Sequence, residues 1–511
     1  MFSTVLSATL RGLCVEFIEV EADTSNGLPI FQMVGYLSSE VKEAGERVRT
    51  AIRNTGFPLP AKRMIVNLSP ANVRKRGTLF DLPIAISLLC SLGELDEGNL
   101  KDILIIGELG LDGSVKPISG VLPIVMAAKE KGIKTCIVPK ENEKEGRLVQ
   151  GIMVLGVRSL HELCEKIAKK SFETNEHEMI LDYDQNAKFS EDYSDIHGQY
   201  LAKRALEIAV AGAHGILMIG PPGSGKSMLA KRIPTILPPL TWEESMELTK
   251  IYSIVGELDW SNPMIKKRPF REVHQSVTRS ALIGGGIVPK PGEICLAHEG
   301  VLFLDEIAEF AKPTLELLRQ PMQEHYIKIH REKGEYQFPA NFMFVAAMNP
   351  CPCGYYPDRN RCFCTASQIQ SYLGKISHPL LDRIDLCVEV EGVKYEELHE
   401  SREEETSECI RERVIKARER QKKRYENLSV LTNAELSSKQ VEEFCVLGEK
   451  EQEMMREAFT SLNLTARRYY KVLMVARTIA DLDDCDRITE KHLREALGYR
   501  MLDDKYWGGI L

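Results

Sequence analysis

The fold class of this chain is indicated above all by the segment Gly220-Pro221-Pro222-Gly223-Ser224-Gly225-Lys226-Ser227. It follows the apolar run Ile216 to Ile219 and opens a predicted helix, which is the strand, turn and helix order of an α/β unit. Glycines at these spacings let backbone N–H groups turn inward around phosphate oxygens. Lys226 then suits the β and γ phosphates of ATP, and Ser227 suits Mg²⁺. The alternative is a glycine-rich turn that binds nothing.

Two further apolar runs end in polar residues. Val301 to Leu304 is followed by Asp305 and Glu306, and Phe342 to Met348 is followed by Asn349. Parallel strands end at one edge of a sheet, so these side chains are expected beside the phosphate loop. There Asp305 would hold Mg²⁺ through water, and Glu306 would act as the general base on the attacking water. Asn349 is placed to bind that water or the γ phosphate, although acids after a strand are often only a solvated strand end.

Two arginines are candidates for contacting phosphate from outside the loop. Arg383 lies in the short apolar segment 380–385. In ring ATPases such an arginine reaches the γ phosphate of the neighbouring subunit, whereas the alternative is a local ion pair with a flanking aspartate. Arg467 begins a predicted helix and is a candidate phosphate sensor, with Arg468 or a plain surface arginine as the alternatives.

Together these motifs resemble the magnesium-chelatase-like AAA+ ATPases, above all the YifB/ComM family of competence proteins. The resemblance covers essentially the whole chain and includes residues 281–286, 289–293 and 475–482. It implies a homo-hexameric, ATP- and Mg²⁺-dependent motor on single-stranded or branched DNA, with branch-migration helicase activity in natural transformation or recombination. Residues 271–275 depart from the family, whose members typically have a proline and paired histidines there.

The organisation of the chain agrees with such a protein. Its 511 residues are too many for one hydrophobic core. Residues 1–170 predict an α/β or α+β domain, and the acidic stretch 171–195 is typical of a linker. Residues 196–393 repeat strand, glycine turn and helix and form the predicted AAA+ core, and residues 394–511 form a helical lid domain. The expected fold class is α/β, a P-loop NTPase core with a lid behind a front domain.

The front domain resembles the Lon protease domain, an α+β fold of the ribosomal protein S5 type 2-like class. The resemblance rests on residues 107–118 and 131–139. Lon proteases use a serine activated by a lysine, but the matching positions here hold Asp81 and Leu122, so we expect no peptidase activity. Asp81 is instead expected to cap the helix Leu82 to Leu92. Such a domain would serve assembly or DNA contact.

DNA contact has to come from local basic groups, because the net charge of −8 makes the whole chain repel nucleic acid. One group lies between the phosphate loop and Asp305: Lys266, Lys267, Arg268, Arg271, Arg279 and Lys290. A second lies on a predicted hairpin before Asn349: Lys328, His330, Arg331 and Lys333. Six copies around a pore would grip phosphates without reading bases. The alternative is a solvated charged loop.

Four of the 13 cysteines are clustered in the loop 351–364: Cys351, Cys353, Cys362 and Cys364. Tetrahedral Zn²⁺ takes four sulfurs, so we predict a structural zinc site, with free thiols as the alternative. The remaining cysteines are scattered, and the N-terminus does not have the pattern of a secretory signal. These features lead us to expect a cytoplasmic protein with reduced thiols and without a membrane span.

Three other functions remain open at this point. A magnesium-chelatase subunit shares the nucleotide core but is not expected to carry the Lon-like front domain. A protein-remodelling motor without DNA activity would need pore aromatics to grip polypeptide. A transcriptional activator of the AAA+ type would need a DNA-reading motif, and a helix-turn-helix pattern does not stand out near either end.

Overall fold

Two units make up the chain in the computed structural model. It describes residues 1–172, 189–287, 289–331, 334–392, 404–428, 430–462 and 464–507. Most of the predicted acidic linker, Lys333 of the predicted hairpin and the first residues of the predicted lid lie outside this part of the chain. The first unit holds the N-terminal residues together with Trp242–Ile265, and the second holds the phosphate loop and the C-terminal helices.

The first unit is built on a mixed seven-stranded sheet. Its strands and a small ribbon are β1 (Phe2–Arg11), β2 (Cys14–Ser25), β3 (Ile30–Val34), β4 (Arg63–Ser69), β5 (Ile103–Ile105), β6 (Glu108–Leu109), β7 (Val115–Lys116), β8 (Thr135–Pro139) and β9 (Met153–Val157). The order in the sheet is β3-β4-β2-β1-β5-β8-β9. The β1–β2 and β2–β4 pairs are antiparallel, and the others are parallel.

The α-helices of the described part of this unit are α1 (Ser39–Asn54), α2 (Asp81–Leu92), α3 (Val121–Glu130), α4 (Glu143–Gly146), α5 (Leu160–Lys169) and α8 (Trp242–Val255). Helix α2 is apolar on every side and is buried from Asp81 to Ser91, as expected of a helix through the centre of a core. Helix α1 buries only one stripe, Val41, Ala44, Val48 and Ile52 among its members.

The prediction that Asp81 caps helix α2 is wrong. Phe80 is the N-cap residue, and Asp81 is the first residue of the helix. Its carboxylate instead accepts hydrogen bonds from Arg47 Nε at 2.8 Å and Arg47 Nη2 at 3.0 Å, and from the backbone N–H of Leu109 at 3.3 Å. Burying an unpaired carboxylate costs more free energy than leaving a helix N-terminus without a side-chain cap. The fully buried Asp81 therefore pairs with Arg47.

Helix α8 joins the first unit although its neighbours along the chain belong to the second. The carbonyl of Ser253 accepts the backbone N–H of Gly120 at 2.9 Å, and its hydroxyl donates to Glu145. Glu145 also accepts the N–H of Leu122 and an amide hydrogen of Asn142, each at 2.9 Å. Burial raises the pKa of Glu145, and these donors oppose the rise. Helix α8 therefore completes the polar network of a buried carboxylate in the front domain.

The second unit is built on a five-stranded parallel sheet with the order β11-β12-β15-β10-β16. Its strands are β10 (Ile216–Ile219), β11 (Phe270–Val273), β12 (Val301–Leu304), β15 (Met343–Met348) and β16 (Leu386–Glu389), and a separate antiparallel hairpin holds β13 (Tyr326–Arg331) and β14 (Gly334–Pro339). The three central strands are buried along their whole length. Continuous apolar runs are typical of a parallel sheet that is covered on both faces.

Helices surround this sheet and form the C-terminal bundle. They are α6 (Tyr200–Gly212), α7 (Lys226–Ile236), α9 (Arg279–Ile283), α10 (Glu293–Leu296), α11 (Lys312–Glu316), α12 (Pro321–Glu324), α13 (Ala366–Leu373), α14 (His378–Leu381), α15 (Ser407–Arg424), α16 (Ser438–Phe444), α17 (Glu449–Ser461), α18 (Ala466–Leu482), α19 (Glu490–Gly498) and α20 (Met501–Trp507). Among the described helices, we find none that combines the length and apolar character needed to cross a bilayer.

Candidate functional site

Three strands of the second unit end at one edge of the sheet and bring polar groups together. In the parallel register Ile219 lies opposite Met348, and Leu304 lies opposite Ala346. The residues that follow these strands, Gly220, Asp305 and Asn349, are therefore neighbours at the carboxyl edge. This is the place where ligands bind in open α/β sheets.

Lys226 is held over this edge by oxygen atoms from two strand ends. Its Nζ donates to the carbonyls of Gly220 and Pro221, each at 2.8 Å, and to Asn349 Oδ1 at 3.1 Å. Burial lowers the pKa of Lys226, and the nearby carboxylates of Asp305 and Glu306 oppose that shift. The ammonium is thus a desolvated cation at the mouth of the phosphate loop, where its attraction for an anion is strengthened.

The loop itself fits close approach to phosphate. Gly223 and Gly225 have φ angles of +76° and +89°, which favour glycine, and a Cβ on Gly220 would collide with the carbonyl of Val390. The loop then enters helix α7 at Lys226, so the first free N–H groups of the helix face the same space.

The acidic side of the site is a hydroxyl and a carboxylate in contact. Ser227 Oγ donates to Asp305 Oδ2 at 2.6 Å, and Asp305 Oδ1 accepts the backbone N–H of Glu306 at 2.9 Å. These oxygen atoms are the hard ligands that Mg²⁺ prefers, so Ser227 and Asp305 are the residues able to hold it. Glu306 has a left-handed backbone with φ of +49° and an exposed side chain. Its carboxylate is therefore accessible to water beside Ser227 and Asp305.

Arg383 lies in a different group of contacts. Its Nε donates to the carbonyl of Arg319 at 2.9 Å, its Nη1 to the carbonyl of Pro379 at 2.6 Å and its Nη2 to Gln323 Oε1 at 2.9 Å. The flanking aspartates are bound by other cations: Asp382 by Arg468 at 3.1 Å, and Asp385 by Lys471. The hydrogen bonds of Arg383 therefore differ from the local ion pair that the sequence left open.

Arg467 joins this second group rather than the phosphate loop. Its Nη2 lies 3.5 Å from Gln323 Oε1, the same atom that Arg383 contacts. Its neighbour Arg468 is committed to Asp382. Burial lowers the pKa of Arg383, and the positive charges of Arg467 and Arg319 lower it further. The structure thus brings Arg383 and Arg467 together.

The four clustered cysteines meet at one point. Their Sγ atoms all lie within 4.8 Å of one another, and three of the pairs are separated by 3.4 Å (Cys351–Cys353), 3.5 Å (Cys353–Cys362) and 3.8 Å (Cys351–Cys362). A tetrahedral ZnS₄ centre with Zn–S bonds of about 2.3 Å has sulfur atoms about 3.8 Å apart. Cys364 completes the set, and the cluster can hold a metal ion.

The cysteine loop also touches the phosphate loop. Gly354 has a φ of +87°, and a Cβ there would collide with Pro222 Cδ. The same loop begins two residues after Asn349, the residue bound to Lys226. The cysteine cluster therefore packs against the wall of the nucleotide site.

The basic residues predicted to contact DNA have different surroundings. Arg268 binds the carbonyls of Pro238 and Glu299, and Arg271 forms a two-point ion pair with Glu293 at 2.7 and 2.9 Å. These two arginines serve the fold of the second unit. On the hairpin, Lys328 Nζ lies 3.2 Å from Glu335 Oε1, while Arg331 is exposed.

Sequence reasoning missed Arg319 and Gln323, which the structure places around Arg383. Both lie in the segment between Glu309 and the hairpin, which has little periodic signal. Arg319 follows the apolar pair Leu317-Leu318, and nothing in this local sequence indicates its contact with Arg383, 64 residues further along the chain. The contact between Gly354 and Pro222 was missed for the same reason.

Comparisons with known proteins agree on one family. The family described as "Magnesium chelatase, subunit ChlI" matches residues 192–398, "Subunit ChlI of Mg-chelatase" matches residues 20–142, and the corresponding C-terminal family matches residues 404–500. The chain is 42% identical over 503 residues to the competence protein ComM of Haemophilus influenzae, covering 98% of this chain and 97% of ComM.

Two other relatives mark the extent of the similarity. YifB of Escherichia coli is 41% identical over 510 residues, covering 98% of this chain and 97% of YifB. Lon protease 2 of Bacillus subtilis is 28% identical over 130 residues, covering 25% of this chain and 23% of the protease.

Proposed function

We infer that this chain, which belongs to the magnesium chelatase subunit ChlI family together with ComM and YifB, is an ATP-hydrolysing AAA+ motor that acts on DNA. The observation that carries the ATPase part is the convergence of Lys226, Ser227, Asp305 and Asn349 at one sheet edge. The DNA part rests on the basic hairpin and on the relationship to a protein named for competence. The family matches at 192–398 and 404–500 also support a core followed by a lid.

Each group at the sheet edge has a role in phosphoryl transfer. Lys226 neutralises charge on the β and γ phosphates, and Ser227 and Asp305 hold Mg²⁺, which adds further charge stabilisation when bound. Glu306 polarises the attacking water as general base, because its carboxylate is exposed next to Asp305. Asn349 orients that water or the γ phosphate from the end of β15.

The active assembly is a homo-hexameric ring in which Arg383 and Arg467 serve the nucleotide of the neighbouring subunit. The contacts of Arg383 lie on Arg319, Pro379 and Gln323, whereas those of Lys226 lie on the phosphate loop and Asn349. An arginine that is held by a separate set of residues is suited to act on another copy. Stabilisation of transition-state charge is what such an arginine supplies.

The hairpin of β13 and β14 is the proposed DNA contact. It carries Lys328, His330 and Arg331 with Glu335 as the opposing acid. A ring of such hairpins would bind the phosphate backbone of a single strand without reading its bases. The front domain is similar in sequence to a Lon protease but has Asp81 and Leu122 at the positions that match the serine and lysine, so its proposed role is assembly or DNA contact rather than proteolysis.

The cysteine cluster is proposed as a structural zinc site. Zn²⁺ held by four thiolates would stiffen the loop that touches Pro222. Metal analysis of the purified protein should find about one zinc per chain. Serine at Cys353 should abolish that zinc, and serine at the exposed Cys409 should leave it unchanged. A wild-type protein with far less than stoichiometric zinc would reject the site.

The proposed function is tested by the steady-state ATPase rate with and without single-stranded and forked DNA, at low and at high salt. We expect stimulation that weakens as salt rises, because phosphate contacts release counterions. Lys328→Ala/Arg331→Ala should reduce the stimulation, and Lys422→Ala/Lys423→Ala, the same charge change on helix α15, should not. An ATPase indifferent to every DNA would favour the chelatase-like or protein-remodelling alternatives.

A further inference from the structure

A surface pocket of about 290 Å³ lies where Arg383 meets the segment 316–324. Its lining residues are Glu316, Arg319, Gln320, Gln323, Glu324 and Arg383. Arg467 adjoins it through the contact with Gln323 Oε1. The guanidinium groups of Arg319 and Arg383 therefore line one cleft, and that of Arg467 lies beside it.

We propose that Arg319 is a third arginine which, alongside Arg383 and Arg467, contacts the terminal phosphate of a nucleoside triphosphate bound in a neighbouring copy of this chain. The inference rests on the proposed function, in which Arg383 acts on the neighbour's nucleotide. It adds a catalytic group that the sequence did not indicate.

Arg319 holds Arg383 in position with its backbone while its own cation stays on the surface of the pocket. Its carbonyl accepts a hydrogen bond from Arg383 Nε at 2.9 Å, so the backbone of Arg319 fixes the position of the Arg383 side chain. Its guanidinium is 40% exposed and pairs with Glu316 at 2.7 Å. That pair joins residues three apart on the chain and is partly solvated, so it contributes little and can be exchanged for a phosphate.

Charge favours an anion in this pocket. Burial lowers the pKa of Arg383, and the charges of Arg467 and Arg319 lower it further, so the cations disfavour one another. Gln323 Oε1 draws Arg383 and Arg467 to one point at 2.9 and 3.5 Å. Glu316 pairs with Arg319, and Glu324 accepts from the neutral amide of Gln320 at 2.7 Å and keeps its charge, so three arginines face two carboxylates. Planar guanidinium forks bind phosphate oxygens in pairs, so a phosphate would relieve the repulsion among all three.

The first test compares single variants. Arg319→Ala should lower the ATPase rate by about tenfold or more, and Arg319→Lys, which keeps the charge but not the fork, should recover part of it. The affinity of Arg319→Ala for a fluorescent ATP analogue should stay within about twofold of the wild-type affinity, because the phosphate loop of the variant is intact. Arg456→Ala removes an arginine from a matching pair three residues apart, Arg456 with Glu453 at 2.8 Å in the lid, and should keep the wild-type rate. An Arg319→Ala rate equal to that of Arg456→Ala would overturn the proposal.

The decisive test mixes two variants that are each impaired in ATP hydrolysis. Arg319→Ala chains keep Glu306, and Glu306→Gln chains keep Arg319, so random rings contain interfaces with both groups intact. Roughly a quarter of the interfaces should then be active, and the rate of the mixture should exceed the mean of the two variants. Arg383→Ala mixed with Glu306→Gln should recover in the same way.

Recovery of both mixtures would support the proposal. Recovery with Arg383→Ala but not with Arg319→Ala would overturn the role of Arg319 and leave the proposed function standing. Recovery of neither would overturn the action of Arg383 on a neighbour together with this inference.

Discussion

Glu306 is the residue on which hydrolysis depends in the proposed mechanism. Its exposed carboxylate follows Asp305, whose other oxygen binds Ser227 at 2.6 Å. Glu306→Gln keeps the size of the side chain but cannot accept a proton, so the ATPase rate should fall by at least about 100-fold while ATP binding is retained. Glu309→Gln, which changes a nearby acid paired with Lys375 at 3.3 Å, is the control. Normal turnover by Glu306→Gln would remove the general-base assignment.

Asp81 gives the first unit a dependence on pH. Burial raises its pKa to about 6, and the hydrogen bonds from Arg47 oppose the rise. The pKa of an aspartate in an unfolded chain is about 3.9. Between about pH 4 and pH 6 the native state therefore holds a proton that the unfolded state has released. The free energy of unfolding should therefore fall by up to about 3 kcal/mol as the pH rises through this window, and level off above it.

Denaturant unfolding at several pH values between 4 and 7 measures this effect. Asp81→Asn has no carboxyl to titrate, so its unfolding free energy should vary less across the window than that of the wild type. A variant with the same pH profile as the wild type would show that other groups produce it.

Local patterns predicted the elements that carry the candidate nucleotide site, and longer-range contacts decided the rest. Strand, glycine turn and helix signals placed Lys226 at the start of a helix and Asp305 directly after a strand, as observed, because such signals depend only on neighbouring residues. The cap prediction for Asp81 failed because Arg47, 34 residues away, competes for the same carboxylate. The pocket around Arg319 was invisible for a similar reason.

At the scale of elements, the phosphate loop depends on the cysteine loop that packs against it. Gly354→Ala adds a Cβ where φ is +87° and where Pro222 Cδ blocks it. Gly93→Ala is a matched control, because Gly93 has a φ of +86° with nothing within 4 Å of a Cβ. Gly93→Ala should lower the free energy of unfolding by about 1 kcal/mol, because alanine disfavours the left-handed backbone. Gly354→Ala should lower it by roughly 1–3 kcal/mol more, because its Cβ also collides with Pro222.

The collision should also reach the nucleotide. Because Pro222 belongs to the phosphate loop, Gly354→Ala should raise the KM for ATP several-fold, and Gly93→Ala should leave it unchanged. Thermal unfolding and the ATP dependence of the ATPase rate measure the two effects. A Gly354→Ala protein with the KM of the control would show that the contact does not shape the site.

The elements themselves were predicted with uneven success. Strands β10 and β12 have the predicted bounds, because their apolar patterns are strong and bounded. Helix α2 begins at Asp81, one residue before the predicted start at Leu82, and ends at the predicted Leu92. Helix α8 was not predicted as part of the front domain, because its bond to Glu145 joins residues 108 apart.

Over the whole molecule, the chain combines a candidate nucleotide site with arginines that are held by a separate set of residues. Lys226 and Asn349 form one group, and Arg383, Arg467 and Gln323 form another. A site that takes groups from two copies is complete only in the assembly. Its activity then depends on the concentration of chains as well as on the chemistry of each one.

The dependence of activity on the concentration of chains can be measured directly. The ATPase rate per chain should rise with protein concentration and then level off, and the midpoint should match the assembly transition seen by analytical ultracentrifugation under the same conditions. Arg383→Ala should assemble over the same range but stay at a low rate throughout, because its rings lack the arginine at every interface. Lys505→Ala, which removes a partner of Glu389 at 2.7 Å on β16, is the control for a lost surface charge and should follow the wild type. A rate per chain that is constant while the protein passes from monomer to ring would mean that one copy holds every group needed for hydrolysis.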